Sequence, residues 1–565
     1  MVVRDIHQTL RHRLQSEGEI WLILLFTGIW YGMNMDGAIF MDGAIFARAS
    51  KSMLEGYIYG NPTHSHAPVA KYFMAISQAV FGPTEFGVKL PSVVFALGTL
   101  YVTYHLGEEL FSRRVGIVAA VALAGNPVFT RWTATAYLDI TFTFFVVLLM
   151  YSLVRWSSTN SLHTKYGLLV GALIVTTAAT KLQGAIFALA IAVGVLYTIK
   201  HRMNDRREAL EDVKRLLTGG VIGLVVIYIP FLFSPHPDYY AGHSFPLVVE
   251  LIFQIPLLSN IVYAFGEAFA HNMDHINTGH RVLVAGKEYQ KPPFWSYLYW
   301  MANGNGIIPA LGLIGLPYLF LRSGIKKRVP VIKRQKIVLI TIVTLSPLIL
   351  ISSVSVKNPK YVLPLYPLLI IIASGFVFGI LDEILDFKNI VPYRYMATIA
   401  IALLLVFSAP VLGISGTFTK SPRSDSQYDD VTSYVINDTM TRESKQPVRV
   451  AAGVPLPIRW YLGDKRTIDY SFESEATKRY DIDNDGSTDL VLSGIGYQNA
   501  SVEKKTRKAI QENKLCFAID TVGRTPKRDD TMRKLISSNG TAVLELERTS
   551  KGKKLVLYRF KSGCK

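Results

Sequence analysis

The sequence predicts a polytopic α-helical membrane protein with about eleven spanning helices, followed by a water-facing α/β domain. Three observations predict it. Half of the 565 residues are hydrophobic and only 18% are charged, with a mean hydropathy of +0.28, less charge than a soluble chain of this length carries. Apolar runs recur from Glu19 to Gly416, and several reach the roughly 20 residues that cross a bilayer as helix. After Thr417 the runs stop and the chain turns polar. The expected division is a membrane domain over 1–416 and a second domain of ordinary globular size over 417–565.

In chain order, the expected spans are 19–35, 87–106, 115–131, 136–155, 165–179, 182–199, 218–234, 303–321, 337–355, 361–381 and 395–416. The third is interrupted by Gly125, Asn126 and Pro127, which break a helix. The first has a long polar lead and no small-residue cleavage pattern after it, so it is expected to be retained.

Charge sets the orientation. Short basic segments stay cytoplasmic, and four qualify: Arg4, Arg11 and Arg13; Arg113 and Arg114; the segment from Lys200 to Arg215; and the segment from Lys326 to Lys336. With eleven crossings they all fall on one side. The net charge of +18 is then mostly membrane topology, and nucleic-acid binding is the weaker explanation because the basic clusters alternate with spans. The N-terminus is expected in the cytoplasm of a multi-pass plasma-membrane protein. Loops 36–86, 127–137, 235–302 and the turn at Lys357-Asn-Pro-Lys360 share the outer side with the C-terminal domain.

The first outer loop is expected to carry the chemistry. From Asp42, the residues Ile45, Ala49, Met53, Leu54 and Tyr57 form an apolar face at helical spacing. A second helix starts near Pro68. Asp42 opens the first of these helices, where a carboxylate also caps free backbone amides. The hexamer Met-Asp-Gly-Ala-Ile-Phe occurs twice in tandem, at 35–40 and 41–46, so Asp36 repeats the local chemistry of Asp42. A second acid, Asp139, closes Arg131-Trp-Thr-Ala-Thr-Ala-Tyr-Leu-Asp139 directly before an apolar helix. Two acids from different outer loops could hold a divalent metal, divide into a base and an orienting group, or simply cap helices. His66, Lys71, Arg131, Lys181, His280, Lys357 and Lys360 map to the same side, against the positive-inside trend. Singly each fits a snorkelling side chain; collectively they suit a phosphate at the membrane surface.

These residues carry a resemblance. Asp42, Met53-Leu54, Gly60, His66-Ala-Pro68-Val-Ala-Lys71, Phe81-Gly82, Glu85-Phe86 and Lys89-Leu-Pro91-Ser resemble the first loop of the C-type glycosyltransferase (GT-C) superfamily. The likeness is greatest to its dolichyl-phosphate-mannose protein mannosyltransferase and aminoarabinose transferase branches. Arg131 to Asp139, Thr180-Lys181-x-x-Gly184, Gly279-His280 to Trp295, and Lys360-Tyr361-x-x-Pro364-x-x-Pro367 follow in family order. The resemblance covers roughly residues 19–415 and is weaker around Arg459-Trp460-Tyr461-Leu462-Gly463.

The resemblance implies a GT-C fold and transfer of a sugar from a polyprenyl or dolichyl phosphate to a protein, glycan or lipid acceptor on the outer face. It places Asp42 at the acceptor as base and carries the second-loop acid to Asp139. It sets His66 and Lys71 near the lipid phosphate, with Arg131, His280 and Lys360 as further cations. Gly43 stands where the family often has a second acid, and the family's proline pair is reduced to Ala67-Pro68, so a two-carboxylate metal site within the first loop is not implied. The chemistry agrees independently. Displacement at an anomeric carbon builds negative charge on the leaving phosphate, so it needs fixed cations there and a base at the acceptor hydroxyl. Direct displacement inverts the anomeric configuration.

In the C-terminal domain, Val431 to Ile436, Arg449 to Ala452, Leu490 to Ser493 and Lys554 to Tyr558 read as strands, with helices over 502–512 and 529–537. Asp481, Asp483 and Asp485, followed by Gly486, resemble the start of a calcium loop, but its twelfth position is Leu492 instead of a bidentate Glu. An acidic turn is the plainer alternative. Cys516 and Cys564 are the sole cysteines, and an oxidising exterior would let them pair; two buried thiols is the other reading. A polytopic transporter, or a lipid-binding envelope protein without transfer activity, remains the alternative function. No related halves of the kind a transporter shows are visible.

Overall fold

The computed structural model describes residues 17–33, 35, 39, 42–56, 67–158, 164–181, 183–202, 206–232, 282–285, 287–325, 331–384, 400–401, 428–442, 447–452, 458, 462, 466–467, 477–481, 490–494, 500–512, 514–522, 535–548 and 553–560. It divides into two compact units, one of residues 1–35 and 49–422, the other of 36–48 and 423–565.

The first unit is helical. Its described elements are α1 (Gly18–Gly32), the C-terminal part of α2 (Asp42–Leu54), α3 (Val69–Phe81), α4 (Glu85–Leu110), α5 (Arg113–Ala124), α6 (Pro127–Thr133), α7 (Asp139–Ser158), α8 (Thr164–Ala178), α9 (Gly184–Arg202) and α10 (Arg206–Leu232). A hairpin of β1 (Val282–Val284) and β2 (Lys287–Tyr289) follows, then α11 (Ser296–Asn305), α12 (Ile308–Ile325), α13 (Val331–Ser353), a 3-10 turn (Pro359–Val362) and α14 (Leu365–Ile384).

Among the described residues, Glu85–Leu110, Asp139–Ser158, Arg207–Pro230 and Arg334–Ser353 are long and apolar enough to cross a membrane. Two bent pairs also qualify, Arg113–Ala124 with Pro127–Thr133 at 63° and Ser296–Gly304 with Ile308–Leu321 at 118°. The first bend falls on the Gly125-Asn126-Pro127 interruption. Asn126 caps the new helix by accepting hydrogen bonds from the Val128 and Phe129 amides at 3.1 and 2.9 Å, and Pro127 sits at its first position, where a missing N–H costs nothing. Gly18–Gly32, Lys165–Ala178, Gly184–Lys200 and Leu365–Leu381 are shorter apolar helices at other expected spans. The expected span 395–416 lies outside the described residues apart from 400–401.

Packing is close where side chains vanish. α8 and α10 touch backbone to backbone: a Cβ added to Gly171 would meet the Leu216 carbonyl oxygen at 2.0 Å, and one on Gly219 would meet that of Leu168 at 2.0 Å. α4 and α5 approach likewise at Gly107 and Gly116. α2 was expected to bury Ile45, Ala49, Met53 and Leu54. The structure buries Ala44, Phe46, Ala47 and Ala49 and leaves Leu54 exposed. Ala49 is common to both sets and Ile45 and Met53 are half-buried, so the expected face is buried only in part.

The second unit contains a mixed seven-stranded sheet ordered β4-β5-β6-β3-β7-β9-β8. Its strands are β3 (Val448–Ala452), β4 (Arg466–Thr467), β5 (Thr477–Asp481), β6 (Leu490–Gly494), β7 (Phe517–Val522), β8 (Thr541–Arg548) and β9 (Lys553–Arg559). β3 runs parallel to β6 and β7, and the other pairings are antiparallel. Alternation along β3 builds a core on each face. Val448, Val450 and Ala452 join Val431 and Val435 of α15 (Tyr428–Met440), while Ala451 joins Ile510 of α16 (Ala500–Gln511). The strand expected at Val431–Ile436 is therefore a helix, because Val431 and Val435 are four residues apart and bury one helical face. Cys516 is disulfide-bonded. Cys564, the one other cysteine in the sequence, lies outside the described residues.

Candidate active site

Four of the singled-out segments meet at one place in the helical unit. The α8–α9 break supplies Lys181. Gly184 allows the turn, since a Cβ there would sit 2.2 Å from the Thr177 carbonyl oxygen. The Gly184 amide donates to the Lys181 carbonyl at 2.7 Å. Asp139 opens α7, and Lys181 is ion-paired to its carboxylate. The Val69 amide at the head of α3 donates to the Ala179 carbonyl at 3.0 Å, which ties the segment carrying Lys71 to the Lys181 turn. From the far side, the 3-10 turn brings Tyr361, whose ring centroid lies 4.8 Å from Lys181 Nζ.

Lys360 enters from the same turn, which is held by the Asn358 side chain accepting from the Lys360 amide at 3.2 Å. Its Nζ lies 4.7 Å from the Tyr137 ring centroid and 5.8 Å from that of Trp132. The Arg131 guanidinium lies 5.9 Å from the Trp132 ring, and the two rings meet edge to face at 5.1 Å. Each of these cations is steadied by the face of an aromatic ring.

Lys71 is 1% exposed, and burial draws its ammonium down to about 7. Its helix is anchored by Tyr72, whose hydroxyl donates to the Ile227 carbonyl at 3.0 Å. Lys357 is used structurally. Its ammonium donates to the Pro292 and Val354 carbonyls at 2.9 and 2.6 Å, and burial lowers its pKa. Asp42 is the first residue of α2 and falls in the second compact unit, whereas Asp139 falls in the first. Asp36, His66, His280, Asp483 and Asp485 lie outside the described residues, as does the side chain of Asp481, the last residue of β5. Among the described residues, no group of three or more His, Cys, Asp or Glu is placed to hold a metal ion. The carboxylate of Asp139 is given to an ammonium, so a metal fits poorly there.

Sequence reasoning missed the aromatic partners Trp132, Tyr137 and Tyr361, although each sits inside or beside a quoted motif. It also missed two buried contacts around the first loop. Lys89 Nζ donates to the Met35 carbonyl at 2.7 Å, and Gln78 Nε2 donates to the Ser50 hydroxyl at 2.6 Å.

Comparison with known proteins bears on this arrangement. The profile of the family described as Dolichyl-phosphate-mannose-protein mannosyltransferase matches residues 65–233, the stretch that supplies Lys71, Arg131, Asp139 and Lys181. The crystal structure of ArnT from Cupriavidus metallidurans bound to undecaprenyl phosphate is similar over 97% of this chain and 99% of its own, with a TM-score of 0.52 at 12% identity. The apo oligosaccharyltransferase of Archaeoglobus fulgidus is similar over 95% of this chain and 74% of its own, with a TM-score of 0.55 at 11% identity. The chain shares the fold of these C-type glycosyltransferase (GT-C) structures. A Pseudomonas aeruginosa undecaprenyl phosphate-alpha-4-amino-4-deoxy-L-arabinose arabinosyl transferase is 31% identical over 148 residues. That match takes in 24% of this chain and 27% of the relative, so it spans about a quarter of the relative's length. The chain is membrane-embedded, in keeping with its apolar helices.

Proposed function

We propose that this GT-C protein is a membrane glycosyltransferase that moves a sugar from a polyprenyl or dolichyl phosphate to an acceptor on the extracytoplasmic face, with inversion. The observation that carries the reading is the convergence of Lys181, Asp139, Lys360, Arg131 and the anchored Lys71 segment in one place, with its cations resting largely on aromatic faces. Such a site answers a leaving phosphate that gains charge as the sugar–oxygen bond breaks.

In this mechanism Asp42 accepts the proton of the acceptor hydroxyl as that oxygen bonds to the anomeric carbon. The bond from that carbon to the phosphate oxygen breaks, and the polyprenyl phosphate departs with its electron pair. Lys71, Arg131 and Lys360, with His66 and His280, meet the developing phosphate charge. Asp139 is a positioning group that holds the Lys181 ammonium in place through their ion pair. No step is routed through a metal. The disulfide at Cys516 supports an oxidising, extracytoplasmic side for the second unit, and the C-terminal domain is read as lying there with the N-terminus in the cytoplasm. The acceptor is a protein, glycan or lipid hydroxyl or amine.

The test is sugar transfer from a panel of radiolabelled polyprenyl-phosphate sugars by purified full-length protein. Turnover with at least one donor, lost by at least a hundredfold in Asp42→Asn while the donor still binds, supports the reading. Donor binding without turnover in the wild type would favour a lipid-binding envelope protein.

A further inference from the structure

The tandem hexamer poses a choice that local sequence cannot make. A helix begun at Asp36 would have the same first turn, the same leading carboxylate and the same apolar residues as one begun at Asp42. The structure begins α2 at Asp42. Six helical residues correspond to about 9 Å of rise, three times the reach of a hydrogen bond. A six-residue shift of register along the helix would carry a carboxylate away from any fixed point by that distance.

Two side-chain contacts bracket the repeat, and both lie within the helical unit. At its first residue, Lys89, 3% exposed, holds the Met35 carbonyl. After it, Gln78, 2% exposed, holds the hydroxyl of the fully buried Ser50. The two do different things. Every residue carries a carbonyl, so Lys89 fixes where the chain enters the loop without reading which residue it holds. Gln78 does read identity: the residue six positions before Ser50 is Ala44, which offers no side-chain acceptor. Ser50 and Asp42 share one thirteen-residue helix. Fixing Ser50 therefore fixes the axial position and rotational phase of Asp42, because each residue of error moves the carboxylate by about 1.5 Å and 100°.

We infer that the Gln78–Ser50 hydrogen bond, with Lys89 as the entry clamp, selects Asp42 over Asp36 as the working carboxylate. Gln78, Ser50 and Lys89 are positioning residues for the transfer reaction, and the first hexamer copy serves as spacer. This inference rests on the transferase reading above.

The experiment compares wild type with Ser50→Ala, Ser50→Thr, Gln78→Leu and Asp36→Asn as full-length protein in detergent. It reads hydrogen exchange by mass spectrometry and steady-state transfer. Ser50→Ala and Gln78→Leu are expected to speed exchange of peptides within 42–54 at least tenfold, with peptides of α4 and α7 unchanged. They should lower kcat at least tenfold with donor KM within twofold. Ser50→Thr, which keeps an acceptor, restores both, and Asp36→Asn stays within twofold of wild type. The inference is overturned if exchange over 42–54 is unchanged in Ser50→Ala, if it quickens while kcat holds, or if Asp36→Asn costs as much as Asp42→Asn. A wild type that transfers no sugar would sink the transferase reading alone, since the exchange comparison still decides the clamp.

Discussion

Lys181 and Asp139 form a buried ion pair at the mouth of α7, with 9% and 2% of their side chains exposed, and the Tyr361 ring covers the ammonium. Two charges removed from water hold each other, and removing one strands the other. Asp139→Ala or Lys181→Ala is expected to cost about 3–5 kcal/mol. The double replacement Asp139→Ala with Lys181→Ala should cost less than the sum of the two single losses, because no unpaired charge remains. Thermal unfolding of the four proteins in one detergent measures the coupling, and additive losses would show that the pair is not energetically linked.

Lys71 gives the site a pH signature. Burial draws its ammonium down to about 7, so in the free protein it is largely neutral above that pH, while a bound phosphate favours the charged form and raises its pKa. Between about pH 7 and the ordinary lysine value near 10.4, binding therefore takes up a proton, and affinity for a polyprenyl phosphate should rise as pH falls from 9 to 7. Calorimetry at pH 8.5 in two buffers of different ionisation enthalpy reads the uptake directly. Lys71→Met should abolish it and flatten the pH dependence.

Tyr137 supports Lys360 with the face of its ring. A cation–aromatic contact is worth about 0.5–2 kcal/mol, so Tyr137→Leu should weaken donor binding or transfer several-fold to about thirtyfold. Tyr137→Phe keeps the face and should stay within twofold. Equal losses in both variants would assign the contribution to the hydroxyl instead.

The α8–α10 contact tolerates no side chain at its closest points. A methyl on Gly171 or Gly219 would sit 2.0 Å from a carbonyl oxygen of the opposing helix, which backbone cannot accommodate without separating the pair. Gly171→Ala and Gly219→Ala are each expected to lose more than about 2 kcal/mol. Gly220→Ala, whose nearest neighbour would stand at 3.8 Å, should be nearly neutral. Melting temperatures of the three variants check the order.

The sequence by itself determined the class and the punctuation of this protein. Apolar length marked the spans, because a bilayer core demands about 20 apolar residues whatever surrounds them. Gly125-Asn126-Pro127 marked the break before α6, because a missing N–H ends a helix locally. The residues now gathered around Lys181 were legible as motifs, since acids and bases stand out against apolar sequence. Only the tertiary structure decided which face of α2 is buried, that Val431–Ile436 is helix, that Asp139 belongs to Lys181, and that Lys357 caps carbonyls while Lys360 rests on Tyr137. In each case several pairings satisfied the local rules equally, and the choice depended on partners tens to hundreds of residues away. The repeated hexamer is the sharpest instance: Asp36 and Asp42 head the same Asp-Gly-Ala-Ile-Phe run, and the contact proposed to tell them apart is a hydrogen bond to Ser50 from Gln78, 28 positions further on.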